Sequence, residues 1–211
     1  MKIIVSAGPT REMIDQVRFL SNLSSGKTGF AVAQAAQEAG HEVVLVHGPV
    51  DLPSVSGITQ VAVISAADMH QAILDEYTDA DVVIMSAAVA DYRPAQVHDG
   101  KMKKAPGPLH IELERTEDIL ADLGRKKRHQ VLIGFALEVA DPEANALRKL
   151  KAKNLDLIVL NGPDNFGSAS SSFRLVNHDG IAPVKNVTKS SLGALLVRTA
   201  VTLANSRHSQ D

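Results

Sequence analysis

Lys2-Ile3-Ile4-Val5-Ser6-Ala7-Gly8 opens the chain and Pro9-Thr10-Arg11-Glu12 turns it. Ser21-Asn22-Leu23-Ser24-Ser25-Gly26-Lys27-Thr28-Gly29 then leads into Phe30-Ala31-Val32-Ala33-Gln34-Ala35-Ala36-Gln37-Glu38-Ala39-Gly40. The first run is apolar and β-branched, which predicts a strand; the last is Ala-rich, which predicts a helix. A strand, a small-residue loop and a helix make the first unit of an α/β fold. Such a loop at a helix start offers unpaired backbone N–H groups to an anion. The bland alternative is a helix capped by Ser24 or Ser25, and this stretch alone leaves both readings open.

The same alternation continues. Strands are predicted at Ile3–Ser6, Glu42–His47, Val61–Ile64, Val82–Met85, Val131–Ile133 and Leu157–Leu160. Helices are predicted at Lys27–Ala39, Ala67–Thr78, Glu117–Lys127 and Pro142–Asn154. The expected fold is Rossmann-like and doubly wound, with a mostly parallel sheet and helices on both faces. Ligands of such sheets sit beyond the C-terminal strand ends. Small residues recur there, at Gly8-Pro9-Thr10, Gly48-Pro49, Ser86-Ala87-Ala88, Gly134-Phe135-Ala136 and Asn161-Gly162. Two segments break the alternation. Asp91–Pro108 reads as a flap loop, and Phe166–Lys185 as a C-terminal hairpin with an Asp179-Gly180 turn. Thr188 opens a last helix to about Ala204, and residues 206–211 read as a tail. One domain spanning 1–211 is expected.

Composition narrows the function classes. Of 211 residues 45% are hydrophobic but only 3% aromatic, so Val, Ile, Leu and Ala build the core. That argues against stacking of nucleic-acid bases, as does the net charge of −2. The absence of Cys excludes disulfides and thiolate-bound zinc. The eight His show no zinc spacing. With no leader and no long apolar run, a cytoplasmic protein without membrane or nucleic-acid partners is expected.

Common nucleotide motifs fail. Gly26-Lys27-Thr28 resembles the end of a Walker loop, but Ser21 stands where that loop needs Gly. No G-x-G-x-x-G follows the first strand. Ser86-Ala87-Ala88-Val89-Ala90-Asp91-Tyr92 gives backbone access, with Asp91 available to a ribose or a metal, or simply solvated. Lys101, Lys103 and Lys104 either close over phosphates or form a solvated face. Lys149 and Lys153, four apart, share a helix face, and Phe135 offers a flat contact to a base; surface charge and core filler are the plain alternatives.

Together these motifs resemble the phosphopantothenate–cysteine ligase (phosphopantothenoylcysteine synthetase) domain of coenzyme A biosynthesis. The resemblance rests on Ser6–Glu12, Val17-Arg18-Phe19, Ser21-Asn22, Ser24–Lys27, Ala87–Tyr92 and Lys101–Lys104. Gly134-Phe135-Ala136 with Glu138, Lys149, Lys153-Asn154-Leu155-Asp156 and Asn161 complete it, over residues 2–205. It implies a stand-alone or excised ligase domain that activates phosphopantothenate with CTP. An acyl-cytidylate forms with release of pyrophosphate, and the amine of cysteine then displaces CMP. By the resemblance Asn22 contacts the acyl group and Lys101 serves the second half-reaction. Ser24, Ser25, Gly26, Ala87 and Ala88 bind substrate. Gly8, Pro9, Thr10, Ser86, Ala87, Asp91, Lys101, Phe135, Lys149 and Lys153 serve the nucleotide. Mg²⁺ is the implied cofactor, without assigned ligands; a homodimer, with the flap reaching into its neighbour, and a separate flavin-dependent decarboxylase are the implied partners. Leu23 stands where the family often has His, and Thr116-Glu117-Asp118 where it often has Asn-Pro-Asp. The runner-up is a short-chain NAD(P) oxidoreductase, but Asp81 and Gln96 stand where its Tyr-x-x-x-Lys pair needs Lys. A non-catalytic nucleotide-binding module is the third reading.

Overall fold

In a computed structural model that describes residues 1–104, 106–138, 140–162 and 170–208, one eight-stranded sheet organises the chain. Its strands are β1 (Lys2–Ala7), β4 (Glu42–His47), β5 (Thr59–Ala62), β6 (Val82–Met85), β9 (Val131–Leu137), β10 (Leu157–Asn161), β11 (Ser170–Val176) and β12 (Ile181–Thr188). The order is β12-β11-β10-β9-β6-β1-β4-β5. The six strands from β5 to β10 are parallel, and β11 and β12 add antiparallel pairs. The helices are α1 (Lys27–Glu38), α2 (Ala66–Tyr77), α3 (Ile119–Lys126), α4 (Pro142–Ala152) and α5 (Lys189–His208).

The strand period of two explains the two cores. Ile3, Val5 and Ala7 of β1, with Val82 and Ile84 of β6, pack against α1 and α5. Ile4, Val83 and Met85 turn to the other face and pack against α2, α3 and α4. Every buried Leu or Ile contributes roughly 1.5–3 kcal/mol. The helix α1 lies directly on β1: a Cβ at Gly29 would sit 2.5 Å from the Ala7 side chain and 2.8 Å from the Ser6 carbonyl.

The expected strands and helices are present, with ends shifted by a few residues. Two antiparallel ribbons were not expected. Arg11–Met13 (β2) pairs with Phe19–Ser21 (β3), and Tyr92–Pro94 (β7) with Leu113–Arg115 (β8). The flap loop therefore has a ribbon stem and runs on to Leu113. Three-residue strands are too short for alternation to be read. The hairpin at 176–181 forms as expected, Asn177 Oδ1 accepting from the amides of Asp179 and Gly180; its predicted start, 166–169, lies outside the described residues. Thr188 Oγ1 accepts the Ser191 amide as α5 begins. The expected tail is corrected. Ser206 and Arg207 belong to α5, because Arg207 pairs with the buried carboxylate of Asp156; 209–211 are not described.

Asp156 sits before β10, at the sheet edge opposite the strand C-termini. It accepts the Leu132 amide at 2.7 Å and pairs with Lys127 at 2.8 Å. A second buried acid, Asp122, takes Lys126 at 2.5 Å, His70 at 2.9 Å and Arg125 at 2.9 Å. Lys126 foremost, with His70 and Arg125, outweighs burial and holds its carboxyl at about 2, against 3.8 ordinarily.

A folded value below the unfolded one stabilises above pH ~4 and is lost as pH falls through 2. Discounted for the solvent around Lys126 and Arg125, the contribution is ~1–2 kcal/mol. Asp122→Asn should lower Tm at pH 7 by about 2–6 °C and bring no loss below about pH 2. Melting curves at both pH values check this; an equal gap at both would assign the effect to packing.

Candidate active site

The sheet order changes direction between β1 and β6. From β1 the chain moves outward to β4 and β5, and from β6 outward to β9 and β10. The loops leaving β1 and β6 thus part at their strand ends and leave a crevice. They are stitched together. The Ala88 amide donates to the Gly8 carbonyl at 2.9 Å, and the Thr10 amide to the Ala88 carbonyl at 3.3 Å. Buried Ser6 Oγ accepts the Ala87 amide at 3.1 Å, and buried Thr10 Oγ1 the Ala90 amide at 2.9 Å. Thr116 Oγ1 donates to the Ala90 carbonyl at 2.6 Å. Both polar groups of the Ala90 residue are thereby held by threonine hydroxyls.

Asn22 closes the arrangement from above. It follows β3, and its Nδ2 donates to the carbonyls of Ala88 and Val89 at 3.2 and 3.0 Å. Ser21 Oγ ties the same arm to the Thr10 carbonyl at 2.7 Å. Beside it α1 begins at Gly26, whose φ of 73° gives a left-handed start without a side-chain cap. Ser24 Oγ reaches only the Gly26 amide, at 3.4 Å, and Ser25 is exposed. The serine-capped reading is thereby corrected. A Cβ at Gly26 would sit 2.9 Å from Val50, and one at Gly48 1.6 Å from the Pro9 carbonyl oxygen. Only glycine lets these three loops meet.

A second group gathers where β9 ends. Phe135 is half-buried on β9. Lys149 of α4 pairs with Glu138, and Lys153, the C-cap of α4, with Asp118 at 2.7 Å. Asp118 also caps α3, accepting the Ala121 amide. Burial pushes its carboxyl up, but Lys153 and that amide hold it below the ordinary value. Asp118, rather than exposed Glu117, is thus the acid beside the lysine. Thr116 links the two groups, since it lies two residues before Asp118 and bonds the β6 loop. The rest of the Lys153–Asp156 motif is structural. Asn154 terminates α4 at φ 52°, donating to the Gly124 carbonyl; Leu155 fills the core; Asp156 anchors α5.

Gly8, Pro9, Thr10, Asn22, Gly26, Ala87 and Ala88 are therefore brought together, with Ser86 beside them and exposed Asp91 just beyond. Lys101 is exposed on the flap and, among the described residues, makes no contact with that cluster. Sequence reasoning missed Ser6 and Thr116 as loop clamps. A lone buried hydroxyl inside Ile3–Ala7 was the signal available for Ser6. Tyr77, the one buried tyrosine among the described residues, donates to the Leu123 carbonyl and serves as a core residue. Among the described residues no group of three or more His, Asp or Glu forms a metal cage, and no helix is long and apolar enough to cross a membrane.

The chain matches the family described as DNA/pantothenate metabolism flavoprotein C-terminal domain over residues 1–203. It is 52% identical over 160 residues to the coenzyme A biosynthesis bifunctional protein CoaBC of Bacillus subtilis (strain 168), covering 75% of this chain and 39% of that protein. The chain thus spans about two fifths of that relative's length. A crystal structure of the C-terminal domain of a CoaBC protein superposes with a TM-score of 0.83 at 42% identity, covering 97% of this chain and 96% of that one. A Cab2 mutant in complex with phosphopantothenate-cysteine shares the fold at 13% identity, with a TM-score of 0.83, covering 100% and 89%.

The clamps predict a stability cost independent of ligand. Thr10→Val keeps the shape but leaves the buried Ala90 amide without an acceptor, costing ~1–3 kcal/mol. Chemical denaturation of Thr10→Val and Thr10→Ser checks this, with Ser retaining most of the wild-type stability. Wild-type stability in Thr10→Val would remove the clamp.

Proposed function

The chain belongs to the family of DNA/pantothenate metabolism flavoprotein C-terminal domains, and from that membership we propose that it joins phosphopantothenate to cysteine through a CTP-activated acyl intermediate. The observation that carries the reading is the stitched pair of strand-end loops beneath Asn22, beside an uncapped helix start. Activation of a carboxylate by a nucleotide needs positioning and charge stabilisation, not a protein nucleophile. The first-turn amides of α1, with Ser24, Ser25 and Gly26, suit the phosphate of phosphopantothenate. The fixed loop of Ala87 and Ala88 presents backbone to the acyl group under Asn22.

The nucleotide reading uses the second group. Phe135 provides a flat apolar contact for the base, and Asp91 an acceptor for ribose hydroxyls. Lys149 and Lys153 supply positive charge now balanced by Glu138 and Asp118. Incoming phosphates would compete with those carboxylates. Mg²⁺ suits this donor set as the nucleotide's own counter-ion. Phosphate oxygens would be most of its ligands, because no protein cage is built among the described residues. It would offset the triphosphate charge. Lys101 would meet the acyl-nucleotide when the flap closes and favour displacement by the amine.

Exposed Val17, Phe19 and Leu23 on the β2–β3 arm, with Tyr92 and Leu113 on the β7–β8 ribbon, support a homodimer. The share of the bifunctional relative that this chain covers supports a decarboxylase partner. A cytoplasmic location follows from the proposed metabolism.

Pyrophosphate release with phosphopantothenate, Mg²⁺ and either CTP or ATP, with and without cysteine, tests the function. Release with CTP, and amide product only with cysteine, is expected; no nucleotide-dependent product in any combination would sink it. Asn22→Asp sets a carboxylate against the carbonyls of Ala88 and Val89. The variant should stay folded, release pyrophosphate and make amide at least ~10²-fold more slowly. Amide formation at the normal rate would remove Asn22 from the mechanism.

A further inference from the structure

Asp15 is fully buried between β2 and β3, just ahead of the Val17-Arg18-Phe19 stretch. Its Oδ1 accepts the amides of Val17 and Arg18 at 2.8 and 2.7 Å. Its Oδ2 accepts Arg18 Nε at 2.9 Å and, across 87 residues of sequence, the Met102 amide at 3.1 Å. Arg18 completes the clasp by donating to the Met102 carbonyl at 2.7 Å. One residue of the flap thus has both backbone polar groups fixed by one ion pair. That residue directly follows Lys101. A second tie, from the His98 amide to the Ile14 carbonyl at 2.9 Å, runs parallel to the clasp.

We propose that Asp15 is the positioning residue for Lys101: the Asp15–Arg18 pair grips Met102 and so sets where the flap lysine stands. This rests on the role given to Lys101 above. The geometry supports positioning over plain packing. Oδ1 serves the turn at Val17 and Arg18, where the Arg18 carbonyl also accepts the amides of Ile14 and Asp15, whereas Oδ2 reaches out to the flap. Burial pushes the carboxyl of Asp15 up, but the amides of Val17, Arg18 and Met102 and the Arg18 guanidinium hold it well below the usual range. The clasp therefore stays ionised at neutral pH. It also joins the flap to the arm that ends in Asn22, so the two residues assigned to the acyl group share one mount.

Asp15→Asn separates the two functions of the carboxylate. Its oxygen can keep the turn, while its NH₂ meets the N–H groups of Met102 and Arg18, donors against donors. The variant should keep the wild-type circular dichroism. Trypsin should cut it after Lys101, Lys103 or Lys104 at least ~10-fold faster than wild type. Both it and Lys101→Gln should accumulate acyl-nucleotide, and the double variant should be no slower than Lys101→Gln alone. Cleavage at the wild-type rate would overturn the proposal. Hydrogen exchange on the wild-type protein decides the matter even where the variant fails to fold. The Met102 amide should exchange at least ~10-fold more slowly than that of Lys103; equal exchange would overturn the clasp. Normal turnover by Lys101→Gln would remove the catalytic role of the lysine, yet leave the proteolysis and exchange results to judge the clasp.

Discussion

The hydrogen bonds between the loops that leave β1 and β6 govern the end of the molecule where chemistry is placed. Neighbouring parallel strands whose chains depart in opposite directions must leave unpaired backbone at the point of departure. Here that backbone is taken up by the Gly8–Ala88 pairing and by the hydroxyls of Ser6, Thr10 and Thr116. The consequence is a rigid floor. Asn22, the α1 start and the Ala87–Ala88 peptide all hold their positions against it.

Charge is arranged around that floor in two ways. Lys149 and Lys153 are balanced by Glu138 and Asp118, and in the proposed function incoming phosphates would compete with those carboxylates. Lys101, Lys103 and Lys104 stand on the flap, which is tied to the arm through the peptide of Met102 and the amide of His98. The buried ion pairs of Asp156 lie opposite the strand C-termini, and those of Asp122 sit one turn along α3 from Asp118; both belong to folding.

Periodicity made the sheet legible. The runs at Ile3, Val43, Val82, Leu132 and Ile158 are apolar on both faces, as strands covered on both sides must be. The inferred parallel sheet, with small residues at its C-terminal strand ends, pointed to the candidate site. The ribbons at Arg11–Ser21 and Tyr92–Arg115 were not legible, because three residues carry no period and their outward side chains are apolar. The clamps by Ser6 and Thr116 and the clasp by Asp15 depend on partners 26 to 87 residues away. The helix start, left open by the sequence, is settled by backbone: Gly26 takes a left-handed N-cap position without a side-chain acceptor, so the serine cap does not form.

The central claim is that phosphopantothenate and nucleotide converge on the stitched loops between β1 and β6. Amide chemical shifts followed by NMR during titration with phosphopantothenate, and then with CTP and Mg²⁺, test it most directly. The account predicts shifts at Thr28, Gly29, Ala87 and Ala88 with the first ligand. With the second they should spread to Phe135 and to Lys149 and Lys153, while Leu132 and the region around Asp156 stay still. Shifts confined to the Asp156 end of the sheet, or absent from Ala87 and Ala88 throughout, would contradict it.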